Sequence, residues 1–309
     1  MKSAKKENLG KLGTEQPNPV SADLDRKSSL QVARIINSED AKVSRVVKRA
    51  LPQIARAIDF TADALNHGGR LIYVGAGTSG RIAALDAAEC PPTFNIEPER
   101  VQFIIAGGPK ALGAAVEANE DSRELGEREM AKRRPGRKDV VIGIAASGRT
   151  PFTIAAIEYA RKRGARTVAV TCNRNSPLEK AAELAIVTEV GPEVIAGSSR
   201  MKAGTAQKLV LNMVSTGAMT RAGYVYGNLM VNVHPKNSKL HERALGIITR
   251  ITRKNREAAE SILRAAGSVP VAIVMDQAAV TRSEAERALQ SASGNVRRAI
   301  ALAAQNESA

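Results

Sequence analysis

Five short apolar runs, each followed by a turn and a helical pattern, constrain this chain more than any other feature. They are RLIYVGAG (70–77), VQFIIAGG (101–108), DVVIGIAASG (139–148), RTVAVTCN (166–173) and LAIVTEV (184–190). Their apolar residues run nearly without interruption, as in strands of a sheet covered on both faces. Intervening stretches such as PFTIAAIEYARKRGA read as amphipathic helices that stop at glycine. This alternation predicts an α/β fold with a doubly wound, parallel five-stranded sheet. Ligands are expected at the carboxyl ends of its strands.

Ahead of the first run the pattern is helical. Leu30, Val32, Ile35 and Ile36 form one apolar stripe, and Val46, Val47, Leu51, Ile54, Ile58 and Leu65 a second, so two helices are expected. Gly68 and Gly69 close the second. Residues 1–20 are expected to be a flexible tail, basic but without the apolar stretch of a secretory signal. From about residue 250 the chain is Ala-rich and helical with a faint repeat. Glu260, Leu263, Ala266, Val269 and Ala272 recur as Glu286, Leu289, Ala292, Val296 and Ala299, which predicts two like helical hairpins. The expected organisation is therefore a tail (1–20), the sheet domain with its N-terminal helices (21–248) and a small C-terminal helical domain (249–309).

Composition narrows the function. A chain of 309 residues, 43% hydrophobic, can bury a full core without staples. Cys90 and Cys172 stand far apart, which excludes a disulfide framework and fits a reducing compartment; the cytoplasm is the expected location. No run of eighteen apolar residues appears, so no membrane partner is expected. The net charge of +15 is spread along the chain, and only 3% of residues are aromatic. That pattern argues against nucleic acid and suits a field that attracts a small dianion. His67, His234 and His241 have no zinc spacing, and no G-x-S-x-G elbow occurs, so neither a metal nor a serine nucleophile is expected.

Gly75, Gly77 and Gly80 in VGAGTSGR (74–81) match the G-x-G-x-x-G spacing of a dinucleotide loop. That fingerprint also needs an acid at the end of the second strand, for the ribose hydroxyls. The second run ends Ala106-Gly107-Gly108, so NAD is not expected. Two sister loops explain more: AASGRTP (145–151) and AGSSRMKAGTAQK (196–208) also join glycine, hydroxyls and a cation at a predicted helix start. Amide N–H groups and the helix dipole favour phosphate there, and a sugar phosphate fits such a set of short donors. The candidate substrate-binding residues are Gly77, Thr78 and Ser79; Ser147, Gly148, Arg149 and Thr150; and Ser198, Ser199 and Lys202. Two carboxylates stand out. Glu89 is expected partly buried at the end of a helix broken by Pro91-Pro92, and Glu120 on or just past the helix after the second strand. Asp86, Glu117 and Asp121 compete with them.

GAGTSGRIAALDAAECPPTF, IAGGPKAL, VEANED, GIAASGRTPF, GPEVIAGSSRMKAGTAQKLVLNM and YGNLMVNV, with LGTEQPNP and RIINSEDAKV, together resemble the N-acetylmuramic acid 6-phosphate etherases of the sugar isomerase (SIS) domain superfamily. The likeness runs from about Leu12 to the C-terminus; NVHPKNSKL (232–240) departs from the family pattern. The resemblance implies cleavage of the D-lactyl ether at C3 of N-acetylmuramate 6-phosphate, a homodimer and no cofactor. It places the two catalytic glutamates at Glu89 and Glu120. We expect Glu89 to be the acid that protonates departing lactate and Glu120 the base at C2, in environments that separate their pKa values. Glu89 lies roughly 15 Å along a helix from Ser79. The main phosphate grip is therefore assigned to Ser147, Gly148 and Thr150, with part of the site crossing a dimer interface. Arg81, Arg149, Arg200 and Lys202 are candidates for the lactyl carboxylate. A non-catalytic sugar-phosphate sensor, like the related glucokinase regulatory protein, and a sugar-phosphate isomerase are the competing readings.

Overall fold

The computed structural model describes Gly10 and residues 12–114, 116, 119–233 and 238–306. Contacts divide it into two compact units, Met1–Ala88 with Glu99–Ser215, and Glu89–Pro98 with Thr216–Ala309.

The first unit is built on β1 (Leu71–Gly75), β2 (Val101–Ile105), β3 (Val140–Ile144), β4 (Arg166–Thr171) and β5 (Leu184–Val187). All neighbours pair in parallel, in the order β2-β1-β3-β4-β5. Every residue of β1 and β3 is buried, which accounts for their unbroken apolar runs. The chain leaves β1 for one edge of the sheet and returns on the other side as β3. The carboxyl ends of these two strands are therefore the switch point of the topology, where an open α/β sheet leaves a crevice.

The helices of this unit are α1 (Ser29–Asp40), α2 (Val43–Arg49), α3 (Leu51–Asn66), the start of α4 (Gly77–Phe94), α5 (Arg123–Arg133), α6 (Pro151–Lys162), α7 (Pro177–Ala181) and most of α8 (Lys202–Arg221). Phe152, Ile154, Ala156 and Ile157 of α6 join Ile72, Val74, Val141 and Ala169 of the sheet in one core.

Four expectations change. The N-terminal region forms three helices rather than two. Pro52 has no N–H to continue α2 and instead occupies the first turn of α3, where none is needed. The α1 stripe is not buried: Leu30 is 59% exposed, and only Glu39 of that helix is buried. The described part of the expected tail is pinned, because Asn18 Nδ2 donates to Pro192 O at 3.1 Å and Gly13 N to Asn173 Oδ1 at 3.1 Å. Finally, α4 does not break at Pro91-Pro92. It continues to Phe94 with both prolines inside its last two turns.

The second unit contains the hairpin of β6 (Val225–Tyr226) and β7 (Leu229–Met230), then α9 (Ser238–Thr252), α10 (Arg256–Ala266), α11 (Val269–Ala278), α12 (Arg282–Ser291) and α13 (Val296–Asn306). The repeat maps onto the hairpins α10–α11 and α12–α13, where Ala266, Val269 and Ala272 are buried like Ala292, Val296 and Ala299. Asn255 and Thr281 cap the two leading helices. The expected border at 248/249 lies within α9, because Val231, Val233, Ala244 and Leu245 share a core with Leu263 and Ala272. No single described helix is long and apolar enough to cross a membrane.

Candidate active site

The loop after β1 and the loop after β3 meet through Glu120. Its carbonyl accepts a hydrogen bond from Phe152 N at 3.0 Å, in the first turn of α6. Its Oε1 stands 3.2 Å from the point a Cβ on Gly77 would occupy. Gly77, at φ +51°, therefore lets the backbone at the start of α4 come close to a carboxylate. Glu120 is half-buried and sits in the loop before α5, not on a helix following β2. Glu117 lies outside the described residues.

The loop after β3 is rigid by construction. Gly148 has φ +67°, and a Cβ there would meet Ser176 Oγ at 2.3 Å. Ser147 Oγ accepts from Arg149 N at 3.2 Å, which leaves its hydroxyl proton available. Thr150 is the N-cap of α6, yet its side chain makes no capping bond. At the start of α6 the Thr150 hydroxyl is thus left without a capping bond at the end of β3, while Pro151 has no N–H and the Phe152 N–H is taken by the Glu120 carbonyl.

The third loop is organised differently. Ser198 and Ser199 are half-buried, and Gly204 N donates to Ser199 O at 3.1 Å. A Cβ on Gly204 would stand 3.5 Å from Thr78 Cγ2, so the start of α8 packs beside the loop after β1. The start of α8 is closed: Glu193, fully buried, accepts from Lys202 N at 3.0 Å and Ala203 N at 2.9 Å. Burial pushes the Glu193 carboxyl up, against the two N–H bonds that favour its charged form. Lys202 is removed from the candidate contacts. It is 2% exposed and its Nζ donates to Glu39 Oε2 at 2.5 Å. Burial raises the Glu39 carboxyl, but hydrogen bonds from Lys202, Lys42 and Asn18 outweigh it and hold the group at about 2.

The remaining carboxylates separate by environment. Asp86 is 5% exposed and structural: it accepts from Tyr73 Oη at 2.7 Å, Asn212 Nδ2 at 2.6 Å and Ser215 Oγ at 3.1 Å. Asp121 is exposed. Glu89 is exposed as well, contrary to the expected burial, because it leaves α4 on the face that also carries Leu85, 55% exposed. Among the cations, Arg81 is committed to the carbonyls of Leu112 and Ala114 at 3.2 and 2.8 Å, and Arg200 is exposed. Arg149 is half-buried in the loop after β3. Both cysteines are buried and neither is in a disulfide, and burial pushes the Cys172 thiol up to about 12. Among the described residues no group of three or more His, Cys, Asp or Glu could hold a metal. Where the dinucleotide acid would stand, β2 runs through Ala106 into the 3-10 turn Gly108–Leu112.

Asn18, Glu39, Asn173 and Glu193 were not singled out by their local sequence. Their roles rest on partners far along the chain: Asn173 Nδ2 donates to Ala146 O at 3.0 Å and Thr14 Oγ1 at 3.3 Å, joining the β3 loop to the N-terminal segment. The segments LGTEQPNP, RIINSEDAKV and GPEV, which hold Asn18, Glu39 and Glu193, were the available signal, while Asn173 ends the strand run RTVAVTCN.

Residues 53–161 match the model of the glucokinase regulatory protein N-terminal SIS domain, and residues 124–216 that of the SIS domain. Over 293 residues the chain is 51% identical to the N-acetylmuramic acid 6-phosphate etherase of Escherichia coli O1:K1 / APEC, covering 94% of this chain and 98% of that one. It is 48% identical over 294 residues to the protein of the same name from Photorhabdus laumondii subsp. laumondii, covering 95% and 98%. N-acetylmuramic acid 6-phosphate etherase 1 of Enterococcus faecalis is 49% identical over 298 residues, covering 96% and 99%.

Proposed function

Because the chain belongs to the N-acetylmuramic acid 6-phosphate etherases, we propose that it is a carbon–oxygen lyase acting in amino-sugar recycling. It converts N-acetylmuramate 6-phosphate to N-acetylglucosamine 6-phosphate and D-lactate. The observation that carries the site assignment is the position of Glu120, with its carbonyl on the first turn of α6 and its carboxylate beside Gly77. A carboxylate so placed reaches a sugar whose phosphate rests on Ser147, Gly148 and Thr150, with Thr78, Ser79, Ser198 and Ser199 as further hydroxyl donors.

An unactivated ether resists direct hydrolysis, whereas the C2 proton of the open-chain aldehyde is acidic. Glu120 takes that proton, and the C3–O bond breaks as Glu89 gives a proton to the lactyl oxygen. Water then adds across the unsaturated aldehyde, hydroxyl to C3 and proton to C2. General acid and base groups of this kind contribute ~10²–10⁴-fold each. We assign the protein to a homodimer whose second copy covers the exposed Glu89–Leu85 face. We place it in the cytoplasm, without nucleic-acid partners.

D-lactate release from N-acetylmuramate 6-phosphate tests the activity, and C2 hydrogen–deuterium exchange tests the roles. Glu89→Gln is expected to lose lactate release while retaining exchange, and Glu120→Gln to lose both. The opposite pattern reverses the roles. Turnover of fructose 6-phosphate or glucosamine 6-phosphate with no lactate release favours an isomerase.

A further inference from the structure

The second unit holds a groove of about 830 Å³, between the β6–β7 hairpin, α9, the last turn of α4 and the C-terminal part of α8. Its size is that of a small-molecule site. Arg243 and Arg250 line it from α9, two helical turns apart and both exposed. Gly246 lines the stretch between them, and a Cβ there would meet nothing within 4 Å, so the space between the two cations is open. Neither arginine has an acidic residue three or four positions away on its helix, and neither has an ion pair among the described residues. The adjacent carboxylate, Glu242, is taken by Arg256 in a bidentate pair at 2.6 and 2.6 Å. Phe94, Leu229 and Ile247 supply an apolar wall.

Two guanidinium groups without an ion pair among the described residues, set over an apolar wall, select a carboxylate attached to a small apolar body. The lactyl arm is such a group, a carboxylate and a methyl on one carbon. Thr93 also lines the groove, and Glu89 lies one turn before it on α4, roughly 6 Å along the axis. We propose that Arg243 and Arg250 bind the lactyl carboxylate of the substrate and hold the leaving group against Glu89. The inference rests on the etherase reading and names a pair of arginines outside the glycine-rich loops as the determinants of lactyl specificity. The sugar phosphate without the lactyl arm makes no use of them.

Equilibrium binding to the full chain carrying Glu89→Gln, which prevents turnover, separates these claims. N-acetylmuramate 6-phosphate and N-acetylglucosamine 6-phosphate are compared as ligands. The Arg243→Ala/Arg250→Ala pair is expected to weaken the first by at least about tenfold, as loss of a charge-assisted hydrogen bond implies. Binding of the second is expected to stay within about twofold, and Arg243→Lys/Arg250→Lys to recover part of the loss. Equal weakening of both ligands, or of neither, overturns the inference and leaves the etherase reading standing. If neither sugar binds to the chain with both arginines intact, the etherase reading fails and this inference with it. Thermal unfolding of each variant shows that a loss of binding is not a loss of fold.

Discussion

The starts of α6 and α8 read alike in sequence, each a glycine-rich loop with hydroxyls and a cation opening a helix, yet they are built differently. The α6 start has no side-chain cap; Thr150 makes no bond to its first turn. The α8 start is closed by Glu193, and its lysine is buried in a pair with Glu39. The α8 start thus already holds an anion of the protein's own, whereas at α6 the Phe152 N–H goes to a backbone carbonyl and the Thr150 hydroxyl is left uncommitted, which is why we propose it for the phosphate. The lesson is that a phosphate-loop composition marks a place where an anion is favoured, and the rest of the fold decides whether the protein or the ligand supplies it.

The largest test breaks the α8 network. Glu39→Gln leaves the Lys202 ammonium buried without its counter-charge and should lower stability by about 3–5 kcal/mol in denaturant unfolding. A neutral result would show that α8 is not held this way. Adding Lys202→Met should restore much of the loss.

Acid titration probes the same pair. The Glu39 carboxyl sits at about 2 against an ordinary 4.5, so the folded chain binds fewer protons than the unfolded one between those values. The stability this gives is present above about pH 4.5 and is lost as pH falls towards 2, by about 3 kcal/mol in all. Glu193 acts in the opposite sense, since its raised carboxyl favours the folded state less as pH rises through that value. Unfolding of the unsubstituted chain and of Glu39→Gln across this range should differ by the Glu39 contribution; parallel curves would refute it.

Smaller effects sharpen the contrast. Glu193→Gln should cost about 1–2 kcal/mol of stability through the lost helix-start carboxylate, while the KM for the sugar phosphate moves less than about twofold. Thr150→Val should do the reverse. Stability should change by less than about 0.5 kcal/mol, as for a half-buried hydroxyl that makes no capping bond, while KM rises about tenfold from loss of the proposed bond to phosphate. If Thr150→Val destabilises as much as Glu193→Gln, the two helix starts are not different in kind.

Much of the fold was legible because strand burial leaves a local mark. Val140–Ile144 is apolar throughout since both its faces are covered, and the two C-terminal hairpins repeat their buried positions. Glu89 and Glu120 stood out by their neighbours, but the exposure of Glu89 did not. It depends on which side of α4 packs, and in a helix of such even apolarity the sequence pattern gives no direction. Arg243 and Arg250 carried a faint signal, two cations on one face with no acidic residue three or four positions away, while their groove needs the β6–β7 hairpin to form its wall.

Local physics alone determined the parallel sheet, the helical hairpins and the three glycine-rich turns, because period, capping and φ preference act within a few residues. The tertiary structure decided which of those turns is closed by a carboxylate. Glu39 and Lys202 are separated by 163 positions and Gly13 and Asn173 by 160, and only the packed chain brings such groups within hydrogen-bonding distance.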